Sequence, residues 1–325
     1  MTSKLAFVFP GQGSQAVGMG RFLFDNFKIA QDTFHEASEV LGFDIKKLCF
    51  EGPDSELQLT ANTQPALLTT STATARVLVN DFGIKPSLTA GHSIGEYASF
   101  VLAGVLPFSV ALKAVRLRGQ AMQSAVPVGQ GGMVACMGLN ESQVAQLTEW
   151  VKKNSPDQWT VEAANFNSPG QIVLSGPLLA LNWMRENARA ETIFGETLRM
   201  KFIPLNVSAP FHCQMMKPAE HAMADFFKDK NFQKPSLPIY QNWSAASALE
   251  PEVLKTNLIQ QVSGSVRWMQ SVQNMLREHS PVFIECGHGN VLNGLIKKTA
   301  ESAVIFTTHN LEDFQIIKDQ IKGSL

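Results

Sequence analysis

The stretch TAGHSIGEYASF, Thr89 to Phe100, places a serine between two glycines, with a histidine beside it. Gly91, Ser93 and Gly95 give G-x-S-x-G, the pattern of a strand that turns sharply into a helix and lifts a hydroxyl out of the backbone. The pattern alone also suits an ordinary turn in which Ser93 caps a helix. A hydroxyl is a weak nucleophile near neutral pH, so chemistry at Ser93 requires a general base within hydrogen-bond reach.

Seven histidines are available: His35, His92, His212, His221, His279, His288 and His309. His92 adjoins Ser93, but neighbouring side chains on a sharp turn point in different directions. His35 and His221 fall in helical patterns, and His279 at a helix end, where an imidazole meets the negative end of the dipole. Two candidates stand out. His212 follows Pro210 in NVSAPFHC, where the backbone is biased towards extension. His288 follows a strand-like run in ECGHGNVL. The chain order serine, acid, histidine of a serine hydrolase favours His288. That order also needs a carboxylate on a loop between them, and Asp225, Asp229 and Glu250 all lie in or at the start of helical stretches. Spacing alone leaves both histidines open.

A second glycine cluster, FPGQGSQAVG, follows the first strand-like run. Gly11, Gly13 and Ala16 fit the dinucleotide fingerprint G-x-G-x-x-[GA]. The acidic residue that fingerprint needs about 20 positions on, at the end of a second strand, is absent: Asp32 and Glu36 sit in a helical pattern. The remaining readings are a tight turn, or a turn that aims a backbone N–H at an active site.

The elements that would hold these groups follow from hydrophobic periodicity and turn residues. Leu5–Phe9, 86–91, 237–243 and 282–287 read as strands; 22–41, 62–83 (with Pro65 in the first turn), 94–103, 109–126, 251–263, 266–279 and a segment from Val291 read as helices. Strands alternating with helices imply a mostly parallel sheet. Within residues 130–204, strand-like runs 132–137 and 171–175 alternate with helical runs 141–153 and 178–190, which implies a small inserted α+β subdomain.

Composition narrows the class. With 45% hydrophobic and 17% charged residues the chain suits a globular enzyme rather than a disordered segment. A net charge of -1 offers no basic surplus for nucleic acid. Cys49, Cys136, Cys213 and Cys286 form no C-x-x-C pair, so neither a zinc site nor a disulfide framework is expected, and no other metal site is. KLAFVFP is too short for a signal-peptide core, and no apolar run approaches the ~18 residues of a membrane span. A cytoplasmic protein without membrane attachment is expected.

Taken in order, FPGQGSQ, GHSIGEY, RLRGQAMQ, NFNSPGQ, VSAPFH and GHGNVLNGL resemble the malonyl-CoA:acyl carrier protein transacylase family of type II fatty acid synthesis, whose fold also serves as acyltransferase domains of polyketide synthases. The resemblance runs from about residue 4 to about residue 300. It implies an α/β-hydrolase-like large domain, residues 1–129 and 205–325, with a mostly parallel sheet, and a ferredoxin-like small subdomain, 130–204.

The resemblance further implies roles. Ser93 matches the nucleophile and His212 the base, oriented by the backbone carbonyl of Gln261 rather than by an acid. The N–H groups of Gln12 and Ile94 match the oxyanion hole, and Arg118 the arginine that binds the substrate carboxylate. Gln64, His92, Asn165, Gln171 and Phe211 match segments that support the pocket, Phe211 with a bearing on malonyl selectivity. The implied substrate is malonyl-CoA and the implied partner is holo-acyl carrier protein, which brings the phosphopantetheine; no bound cofactor and a monomer are expected. Arg185, Arg189, Arg199, Lys201, Lys297 and Lys298 are candidates for a basic rim facing an acidic carrier. The chain departs from the family at Gly287-His288-Gly289-Asn290, where G-P-G is usual, and at SGSVRW, which lacks a proline before Trp268. Both departures bear on loop rigidity near the site. The alternative reading is a serine acyl hydrolase.

Overall fold

A computed structural model describes residues 4–322; the outermost residues of the ranges 1–129 and 205–325 lie outside the described ones. The central strand is β1, Leu5–Phe9, buried along its whole length. Its alternation divides the large core. Phe7 and Phe9 enter one hydrophobic cluster, while Ala6 and Val8 enter another. The first is filled from the helices Thr60–Asn80, Gly95–Leu102 and Phe108–Ser124, the second from Trp268–His279 and Val291–Thr299. Opposite faces of one strand are therefore each covered by helices, as parallel sheets require.

Strands β2 (Leu88–Gly91), β7 (Ile239–Tyr240), β8 (Ser247–Ala248), β9 (Val282–Glu285) and β10 (Ile305–Phe306) complete this sheet, in the order β10-β9-β1-β2-β7-β8. All pairings are parallel except the edge pair β7–β8. The register Phe9↔Gly91 in β1–β2 sets the end of β1, and so the Pro10–Ser14 turn, beside the serine turn.

The second sheet comprises β3 (Gly131–Met137), β4 (Glu162–Ser168), β5 (Gln171–Pro177) and β6 (Lys201–Pro204), all antiparallel in the order β4-β5-β3-β6. With the helices Glu141–Asn154 and Leu178–Asn187 this is a βαββαβ, ferredoxin-like arrangement. It has its own hydrophobic cluster, in which Val134, Cys136, Ile172 and Leu174 meet Leu147, Leu181 and Met184. Asn140 and Gln143 cap the first of its helices reciprocally.

Several elements differ from the sequence expectation. The helical pattern 22–41 is two helices, Arg21–Asn26 and Lys28–Leu41, separated by an extended Phe27. The ring of Phe27 packs against Phe82 and Phe314, so tertiary packing overrides helical continuity there. Pro65 lies in the second turn of Thr60–Asn80, not the first. It has no N–H for the carbonyl of Ala61, and Arg116 supplies the missing donor across 2.7 Å. Strands β4 and β6 and the helix Leu311–Lys322 were not anticipated. Among the described residues no helix is long and apolar enough to cross a membrane.

Candidate active site

Ser93 sits between β2 and the helix Gly95–Leu102 with φ 52°, in the left-handed region. The flanking glycines are needed for space. A Cβ on Gly91 would stand 2.0 Å from the backbone carbon of Gly95, and one on Gly95 would stand 2.2 Å from the carbonyl oxygen of Phe9. The turn is thus wedged between the ends of β1 and β2, with no room for a side chain at position 91 or 95.

The serine Oγ lies 2.7 Å from Nε2 of His212. Nδ1 of the same ring faces two backbone carbonyls, Gln261 at 2.8 Å and Gly264 at 3.2 Å. Carbonyls only accept, so Nδ1 carries the proton and Nε2 is left free to accept from Ser93. No carboxylate is needed to set this tautomer. Burial, with the nearby Arg118 cation, pushes the His212 pKa down to about 3, so the imidazole is neutral over the physiological range and Nε2 is open to accept a proton. His212 also has a left-handed backbone, φ 58°. Two strained residues at one hydrogen bond imply surroundings that over-determine both, at a cost of about 1–3 kcal/mol each.

Arg118, from the helix Phe108–Ser124, is 1% exposed. Its guanidinium donates to Gln64 Oε1 (2.9 Å), Gln261 Oε1 (2.9 Å) and Ser93 Oγ (3.2 Å). Its Nε is buried without a partner, and none of the ion pairs among the described residues includes it. A buried cation whose hydrogen-bond partners are all neutral, with the Glu96 carboxyl acting on it only from beyond Gln261, and which lies next to a reactive hydroxyl, is suited to an anionic ligand.

The Pro10–Ser14 turn packs on the serine turn: a Cβ on Gly11 would come within 2.7 Å of the His92 carbonyl oxygen. Among the described residues the N–H groups of Gln12 and Ile94 meet no protein acceptor. Ile94 stands at the N-terminus of its helix, where free N–H groups and the dipole favour negative charge.

The other expected residues divide. Gln64 joins Arg118 directly, and buried Phe211 precedes His212 in the large core. His92 turns away from Ser93: its Nε2 bonds Asn167 Oδ1 at 2.8 Å, and its ring packs on Trp268. Asn165 pairs through its backbone with Val266, and it is Asn167, two positions on along β4, that reaches His92. Gln171 is not in this network; its Oε1 accepts from Lys298. His288 is in a separate loop, where flanking Gly287 and Gly289 pack against Pro10 and Ser14.

Sequence reasoning missed Glu96 and Asn242. Glu96, wholly buried, accepts from Asn242 N (2.8 Å), Gln261 Nε2 (3.1 Å) and Gln241 Nε2 (3.2 Å). Burial raises its pKa to about 7 against those hydrogen bonds. Glu96 lies within the quoted GHSIGEY motif, which offered a signal; Asn242 lies in IYQNWSA, which offered none.

An acyl transferase domain family matches residues 6–323. The malonyl CoA-acyl carrier protein transacylase of Bacillus subtilis is 41% identical over 296 residues, 91% of this chain and 90% of the relative. That of Haemophilus influenzae is 38% identical over 317 residues, 97% and 98% of the two chains. Among solved structures, FabD of Acinetobacter baumannii superposes with a TM-score of 0.91 at 36% identity, covering 100% of both chains. A malonyl-transacylase in complex with its type II PKS acyl-carrier protein superposes with a TM-score of 0.90 at 36% identity, covering 98% of this chain and 100% of that one.

Proposed function

The chain belongs to the malonyl CoA-acyl carrier protein transacylase family of acyl transferases, and from that premise we propose that it transfers the malonyl group from malonyl-CoA to the phosphopantetheine thiol of holo-acyl carrier protein, by a ping-pong route through a malonyl ester on Ser93. The observation that carries this reading is convergence on one atom. Oγ of Ser93 is 2.7 Å from the base His212 and 3.2 Å from the guanidinium of Arg118.

In the first half-reaction His212 Nε2 takes the Ser93 proton as Oγ attacks the thioester carbon. The oxyanion is received by the N–H groups of Gln12 and Ile94, and loss of one such donor typically costs ~10²–10³ in rate. Collapse breaks the C–S bond, and His212 returns its proton to the departing coenzyme A thiolate. In the second half-reaction the carrier thiol gives its proton to His212 and attacks the ester carbonyl. The C–O bond then breaks and Ser93 Oγ regains the proton. The steps balance without a bound cofactor. Arg118 pairs its planar guanidinium with the malonyl carboxylate and so favours malonyl over acetyl groups.

The reading extends to a cytoplasmic, monomeric enzyme supplying fatty acid or polyketide synthesis. It includes a large catalytic unit, 1–129 with 205–325, and a small one, 130–204. A hydrophobic cluster confined to the small unit supports the division, while its Met133, Ala164 and Val173 join the large core. The competing reading, a serine acyl hydrolase, leaves the buried Arg118 without a purpose. Product analysis after mixing with malonyl-CoA and holo-acyl carrier protein separates them. Malonyl-carrier is expected; free malonate formed at the same rate with or without carrier would overturn the transferase.

A further inference from the structure

The side-chain amide of Asn242 spans the serine turn. Its Oδ1 accepts from the N–H of Ser93 at 2.6 Å, and its Nδ2 donates to the carbonyl of Gly91 at 2.6 Å. A backbone N–H only donates and a carbonyl only accepts, so the amide orientation is unambiguous. Asn242 is wholly buried and is itself fixed: its N–H goes to Glu96 and its carbonyl accepts from the N–H of Arg267. The same Glu96 holds Gln261 Nε2, which also donates to the carbonyl of Ser93 at 3.1 Å. Both backbone polar groups of the strained serine therefore end in one buried network.

We propose that Asn242, anchored by Glu96, is a positioning residue that holds Ser93 in its left-handed conformation and so keeps Oγ aligned with His212. It also occupies the N–H of Ser93, which leaves the N–H groups of Gln12 and Ile94 as the free donors beside the nucleophile. No other side chain of similar size reproduces the bridge. In Asn242→Asp an ionised carboxylate would set an oxygen against the Gly91 carbonyl, and in Asn242→Ala the N–H of Ser93 and that carbonyl would both lose their partner.

The inference rests on the malonyl-serine reading, and the test separates the two. Intact-mass spectrometry follows Ser93 malonylation by malonyl-CoA in wild type, Asn242→Asp and Asn242→Ala, with each rate normalised to the fraction of protein that can be acylated. Misplacement of reacting atoms by about 1 Å costs roughly 10² in rate, so a loss of about that size per acylable site is expected, with KM for malonyl-CoA within threefold of wild type. A rate per site within threefold of wild type would overturn the positioning role, since a merely structural residue lowers only the acylable fraction. A KM that rises at unchanged rate would overturn it too. If neither variant folds, amide exchange of the wild type decides: the Ser93 N–H is expected to be protected and the Ile94 N–H not, and an unprotected Ser93 N–H would overturn the bridge. Failure of the wild type to form any adduct contradicts the malonyl-serine reading, and the exchange result still judges the bridge.

Discussion

Arg118 donates from Nη2 to Oγ of Ser93 across 3.2 Å, so a buried guanidinium whose hydrogen-bond partners are all neutral touches the nucleophile itself. A substrate carboxylate bound there reaches Ser93 with its position already set. Breaking a buried charge pair costs about 3–5 kcal/mol, or roughly 10²–10⁴ in rate. Arg118→Ala is therefore expected to slow malonylation by that factor while changing acetylation from acetyl-CoA less than tenfold. A competition assay with both thioesters reads the ratio, and equal losses would contradict the carboxylate role.

The low pKa of His212 has a signed consequence for pH. A base that titrates at about 3 stays neutral well below the ordinary histidine value of 6.5. The acylation rate should then lack a downward limb near pH 6.5. Stability shows the opposite sensitivity. Below 6.5 the unfolded chain binds a proton that folded His212 refuses, so stability falls as pH drops from 6.5 towards 3, by about 1.4 kcal/mol per unit. Between pH 6.5 and 5 the stability of wild type relative to His212→Ala should fall by about 2 kcal/mol in denaturant titrations. A constant difference would show that His212 is not held neutral.

Gly91 and Gly95 flank the serine for lack of space, and the obstructing atoms are backbone. Gly91→Ala should therefore destabilise the fold by about 3 kcal/mol or more, at the severe end of overpacking changes. Denaturant unfolding measures this. A loss under about 1 kcal/mol would mean that the turn can relax around a methyl group.

Arg116 tests a purely structural assignment. Its guanidinium serves the Ala61 carbonyl that Pro65 cannot, and also Asn62 Oδ1. Arg116→Met should cost about 1–2 kcal/mol of stability and leave the malonylation rate of Ser93 unchanged. A slowed rate at full stability would place Arg116 in the site instead.

The parts of the site legible in the sequence were those with a local pattern. G-x-S-x-G foretold the turn at Ser93 because its glycines answer a local steric need. The pairing of Ser93 with His212, 119 positions apart, has no local signature. Spacing left His212 and His288 open, and only the resemblance to a known family favoured the first. The carbonyl that orients His212 belongs to a backbone, so residue type could not reveal it. Asn242 went unseen because an isolated asparagine in IYQNWSA reads as a loop residue until the fold brings it under the serine. Among the elements, β1 was legible as an apolar run ended by Pro10-Gly11. The strand β4, EAANFNS, was not, because Asn165 and Asn167 interrupt its apolar alternation. The split of the 22–41 pattern depends on Phe82 and Phe314, which are distant in sequence.

The central claim is a malonyl ester on Ser93 that only the carrier discharges. Intact-mass spectrometry of wild type and Ser93→Ala, after brief mixing with malonyl-CoA and then with holo-acyl carrier protein, addresses it directly. The account predicts one malonyl adduct on the wild type, none on the variant, and loss of the adduct on addition of carrier with malonyl-carrier appearing. An adduct that persists in Ser93→Ala, or that decays to free malonate at a rate indifferent to the carrier, would contradict it.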